Sequence, residues 1–146
     1  MPEIIVIERK SRWTPELQRE IHAQQPVKSF GGAEDISVNP CRNWTGLRPS
    51  EIAAGTLIVV DVNFGVAECL HFLGKMLPHL ERCAVIVIGA PSTHSLEWIF
   101  YEMGATVYLA ECHHGEQLMS ICRRLQAIIP NERRGLSPPS GRERRG

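Results

Sequence analysis

The stretch TLIVVDV at residues 56–62 decides the fold. It is apolar at nearly every position and rich in β-branched residues, which suits a strand covered on both faces rather than one that alternates between core and water. Two further runs carry the same signature, EIIVIE at 3–8 and CAVIVIGA at 83–90, and TVYLA at 106–110 is a shorter version. Strands buried on both faces belong to parallel sheets, which need a crossover between successive strands.

Helical patterns fill the intervals. After the first strand, Trp13-Thr14-Pro15-Glu16 reads as a helix start, with Thr14 as cap and Pro15 at the first helical position, and Leu17 and Ile21 share a face. Val66, Leu70, Leu73 and Leu77 define a second helical face, and Leu96, Ile99, Phe100 and Met103 a third that opens at Ser95 and ends at Gly104. A last helix carries Leu118, Ile121, Cys122, Leu125, Ile128 and Ile129 and is expected to stop at Pro130.

Residues 26–50 are harder to read. PVKSF at 26–30 offers a short second strand. Residues 31–50, rich in Gly, Pro, Asn, Asp and Ser, read as a loop, with a helix over about 49–54 closed by Gly55. Strand and helix thus alternate about five times, which predicts an α/β fold: a doubly wound, five-stranded parallel sheet with helices on both faces.

At 146 residues and 43% hydrophobic side chains, the chain is expected to form one domain over 1–130. Residues 131–146, with five Arg against two Glu, read as a disordered basic tail. Net charge is zero, so no overall field recruits nucleic acid or an anionic membrane. Five cysteines at irregular spacings suggest a reducing compartment, and the only early apolar run is too short to span a bilayer, so a cytoplasmic location is expected.

In such sheets, ligands bind at the carboxyl ends of the strands. Glu8 and Arg9, Asp61 and Asn63, Gly89 to His94, and Glu111 to His114 occupy those ends. Five strand–helix units with an Asp closing the third strand, together with the segment EMGATVYLAE, resemble a response-regulator receiver over residues 3–129. The resemblance implies a flavodoxin-like strand order, 2-1-3-4-5. It also implies Asp61 as acceptor of a phosphoryl group from a histidine kinase, and Mg²⁺ held by Glu8, Asp61 and the backbone of Asn63. The partner surface it implies is formed by the last two helices and the fifth strand, near Trp98, Tyr101 and Tyr108. Tyr108 stands at the position of the aromatic that reports the family's switch.

Three positions depart from that pattern. Arg9 replaces one of the two metal carboxylates, Gly89 stands where a Ser or Thr ends strand four, and Glu111 stands where a Lys ends strand five. A guanidinium weakens a site that needs hard oxygen ligands, and a carboxylate repels a phosphorylated Asp. The chain therefore resembles a pseudo-receiver: a stand-alone, non-enzymatic signalling domain acting through contact with a histidine kinase or another signalling protein.

A different class of reading takes Asp61, His94, Cys112, His113 and His114 as the site of a small metal-binding protein or enzyme. The paired spacing of a structural zinc site is missing, and a solvated loop is the bland alternative. ERKSRW after strand one contains no glycine, which argues against a dinucleotide-binding loop. Trp13, Trp44 and Trp98 read as packing residues rather than a stacking platform for bases.

Overall fold

A computed structural model describes residues 3–24 and 36–136 of the chain. Five strands, β1 (Glu3–Ile7), β2 (Ser37–Cys41), β3 (Leu57–Asp61), β4 (Ala84–Ile88) and β5 (Val107–Leu109), form one sheet in the order β2-β1-β3-β4-β5. Every pairing is parallel, with Ile4 opposite Leu57 and Asp61 opposite Ile88. The doubly wound parallel sheet is the one the apolar runs predict, and its flavodoxin-like order is the one the resemblance implies.

Four helices cover the sheet: α1 (Trp13–Gln24), α2 (Val66–Met76), α3 (Glu97–Glu102) and α4 (Gly115–Leu136). Alternate residues of each strand serve opposite layers, because side chains in a strand point to alternate faces. Ile4, Val6, Leu57, Val59 and Ile86 pack with Trp13 and Leu17 of α1 and Leu118, Met119 and Cys122 of α4. Ile5, Ile7, Ile58, Val60 and Val87 pack with Phe72 and Leu73 of α2 and Phe100 of α3. Burying a side chain such as Leu17 or Phe100 stabilises the fold by about 1.5–3 kcal/mol.

The chain departs from the predicted elements where local chemistry outweighs pattern. The second strand is SVNPC at 37–41, inside the stretch expected to be loop, whereas 26–30 lies outside the described residues. β2 pairs only with β1 and buries only Val38, so it needs no apolar run and tolerates Pro40, as edge strands do. Between β2 and β3 the helix expected at 49–54 is instead a pair of 3₁₀ turns, Trp44–Gly46 and Pro49–Glu51. The crossover therefore carries no α-helix. α3 is preceded by a 3₁₀ segment, Pro91–Leu96, and is followed after Met103 by Gly104, whose φ of 110° favours glycine. α4 continues through Pro130, where a stop was expected.

Candidate functional site

β1 leads by way of α1 to β2 on one side, and β3, on the other side of β1, leads on to β4 and β5. The order reverses between β1 and β3, so the crevice beyond their carboxyl ends is where a ligand site is expected. A cleft of about 490 Å³ opens there, lined by Arg9, Lys10, Ser11, Arg12, Asp61 and Asn63.

Glu8 does not face this cleft as a solvated charge. It is 2% exposed, and its Oε1 accepts the backbone N–H groups of Arg12 and Trp13 at 3.1 and 2.9 Å. Its Oε2 accepts the N–H and the hydroxyl of Thr14 at 3.0 and 2.8 Å. A carboxylate has about four lone-pair sites, and all are filled. Glu8, rather than Thr14, caps α1; the Thr14 hydroxyl donates to it instead of accepting from the helix. A negative charge at a helix N-terminus is favourable.

Asp61 ends β3 with only 6% of its surface exposed. Its Oδ2 accepts the indole N–H of Trp13 at 3.1 Å, and its Oδ1 accepts the backbone N–H of Asn63 at 2.9 Å. The second bond caps the short 3₁₀ turn Val62–Phe64. The Asn63 side chain is exposed. Asp61 and Asn63 therefore meet at the rim, while Glu8 is committed to the helix beside them.

The basic side chains are held by neutral partners. Arg9 donates to the carbonyl of Phe64 at 2.8 Å and lies 5.5 Å from the centre of its ring. Arg12 donates to the carbonyl of His113 at 3.1 Å and lies 4.2 Å over the Trp13 ring. Among the described residues, Arg9, Lys10 and Arg12 form no ion pair.

The segment after β5 is built to start α4. Gln117 accepts the N–H groups of His113 and His114 at 2.9 and 3.0 Å, and Glu16 of α1 accepts that of Gly115 at 2.7 Å. The two histidine rings are 6.4 Å apart, and His94 bonds the carbonyl of Ala110 at 2.9 Å. Burial pushes the Cys112 thiol up in pKa against the opposing pull of Arg12. Among the described residues, no three His, Cys, Asp or Glu side chains gather closely enough to hold a metal ion.

Behind the rim lies a hydroxyl pair that sequence reasoning missed. Thr93 is buried, and its Oγ1 lies 2.7 Å from the Tyr108 hydroxyl. Thr93 Oγ1 also accepts from the Ala90 N–H and donates to the Ala90 carbonyl, both at 3.0 Å. With the one Thr93 hydrogen used there, the Tyr108 hydroxyl donates to Thr93 Oγ1. The Tyr108 ring stacks on Phe100 at 5.4 Å and occupies the space beside Gly89, where an added Cβ would overlap it. Tyr108 is thus buried rather than on the expected partner surface. Trp98, read as a packing residue, is 65% exposed, and Tyr101 is 44% exposed. The Tyr101 hydroxyl accepts the Tyr108 N–H at 3.0 Å, which satisfies a donor of the edge strand β5. The signal for the buried pair was the glycine at 89, which only a close neighbour explains.

Fold and site together define a doubly wound α/β protein with a polar, cation-rich crevice at its switch point. No family model matches the chain, and no curated protein shows significant similarity to it. Among the described residues, no helix is long and apolar enough to cross a membrane.

Proposed function

We propose that this chain is a receiver-like signalling module of the pseudo-receiver kind, acting through contact with a protein partner and not through phosphoryl transfer. The observation that carries the reading is Tyr108, buried against Thr93 in the space that Gly89 leaves open. The resemblance makes Tyr108 the reporter of a switch. Here the hydroxyl near strand four serves that tyrosine rather than a phosphoryl group, so the face made by α3 and β5 is fixed in one arrangement. Trp98 and Tyr101 are the exposed aromatics of that face, and exposed aromatics are favoured as interface anchors.

The rim supports the same reading. Glu8 has no free lone pair for Mg²⁺, and Arg9 stands in place of the second carboxylate.

Intact-mass spectrometry after incubation with Mg²⁺ and acetyl phosphate tests it, with the native chain beside Asp61→Asn and an active receiver as control. The expected result is no added mass on the native chain. A phosphoryl mass that Asp61→Asn abolishes would overturn the reading and leave an active receiver. A partner captured by the native chain is expected to be lost with Trp98→Ala and retained with Asp61→Asn.

A further inference from the structure

We infer that the crevice between the ends of β1 and β3 binds a sugar phosphate, with the phosphate held by Arg9, Lys10 and Arg12. The first ground is an excess of positive charge, three cations against the single carboxylate of Asp61. Three cations line one cleft, and among the described residues none of them meets a carboxylate within ion-pair distance. Exposed cations without a carboxylate are common, but two of these are also positioned. The Arg9 and Arg12 guanidinium groups are each tied by one N–H to a backbone carbonyl and laid against an aromatic ring. A guanidinium carries five N–H donors in a rigid fork, so each keeps donors for a second, anionic partner, and the order of the side chain is already established.

The second ground is the remainder of the lining. Ser11, Asp61 and Asn63 are the other wall residues. Asp61 takes one N–H on each carboxylate oxygen, which leaves lone pairs able to accept from hydroxyl groups. A cleft of about 490 Å³ falls in the range of small-molecule sites and is far larger than a bare phosphate fills. Ser11, Asp61 and Asn63 thus offer hydrogen-bonding groups to a polyhydroxylated body. The site does not depend on the signalling role, nor on Asp61 accepting a phosphoryl group.

Isothermal titration of the full chain in EDTA, with ribose 5-phosphate, ribose and inorganic phosphate as probes, tests the assignment. Ribose 5-phosphate is expected to bind saturably at one site, more tightly than inorganic phosphate, and ribose not at all. Arg9→Ala and Arg12→Ala are each expected to weaken it about tenfold, as the loss of one charge-assisted bond implies. Lys10→Ala, which removes no hydrogen bond within the described residues, is expected to weaken it with the circular dichroism unchanged. Arg19→Ala, at the exposed partner of Glu16 outside the cleft, leaves it unaltered. Asp61→Asn is expected to retain phosphate-dependent binding, because it removes a repulsive charge along with one hydroxyl acceptor. No saturable binding overturns the assignment, as does affinity indifferent to Arg9, Lys10 and Arg12. Inorganic phosphate binding as tightly as the sugar phosphate reduces the cleft to a simple anion site and overturns it too. A phosphate monoester without Mg²⁺ does not phosphorylate Asp61, so labelling by acetyl phosphate would sink the pseudo-receiver reading and leave this one standing.

Discussion

Tyr108 fills the space that a side chain at Gly89 would need, and its hydroxyl is held there by Thr93 at 2.7 Å. Gly89 directly follows β4, and Tyr108 lies in the neighbouring parallel strand β5. A change at residue 89 therefore acts on the aromatic, not on the backbone.

Gly89→Ala is expected to destabilise the protein by about 1–3 kcal/mol, the usual range for overpacking a filled core. In a Tyr108→Ala background the same substitution is expected to cost far less, because the overlapping ring is gone. A double-mutant cycle in urea reads this coupling directly. Additive effects would mean that the glycine serves some other need.

Glu8→Ala leaves four donors at the start of α1 without their acceptor. A loss of roughly 3 kcal/mol is expected, since buried unsatisfied donors cost about 1–3 kcal/mol each and water relieves some of them. Chemical denaturation measures it, and amide exchange at residues 12–14 should rise with it. A loss under about 0.5 kcal/mol, the size of an ordinary surface substitution, would contradict the capping role.

Trp98 and Phe100 are neighbours on α3 with opposite fates, 65% and 0% exposed. Trp98→Ala is expected to change stability by no more than about 0.5 kcal/mol, whereas Phe100→Ala is expected to cost about 3–5 kcal/mol. Urea unfolding of the two variants checks the pair. Equal losses would put the Trp98 side chain in the core.

Burial, aided at Cys69 by the charges of Asp61 and Glu68, and at Cys122 by Cys112, pushes both thiols up to about 12. Both thiols start to ionise near 9 in the unfolded chain and remain protonated when folded. The native state then binds more protons than the unfolded state, so stability falls as pH rises from about 9 towards about 12. Urea midpoints at pH 7.5 and 10 should show the drop, and Cys69→Ala with Cys122→Ala should flatten it. In the native chain these two thiols are also expected to resist alkylation until it unfolds.

The strands β1, β3 and β4 were legible because both faces are buried, which leaves a continuous apolar run. β2 was not, because an edge strand needs one partner and little apolar area, and Ser37–Cys41 contains a proline and an asparagine. The helix expected at 49–54 failed for a related reason. Within 49–54 Ile52 is the one buried residue, too few to hold a helical face against the sheet.

The candidate rim was legible in the same limited way. Strand ends at Ile7 and Asp61 follow from the apolar runs, so the residues after them were bound to share one end of a parallel sheet. Which of them face the cleft was not, since Glu8 and Arg9 are adjacent in sequence yet one is buried under α1 and the other lines the opening.

By itself, the amino-acid sequence determined the α/β class, the central strands and the rim that carries Asp61, because apolar periodicity and strand direction are local properties. Tertiary structure alone decided that Glu8 caps a helix, that Tyr108 lies inside against Gly89, and that three cations share a cleft with one carboxylate, Asp61, without pairing to it. Those outcomes depend on donors, space and charge brought together by residues as far apart as Arg9 and Phe64 or Gly89 and Tyr108, and only packing sets those distances.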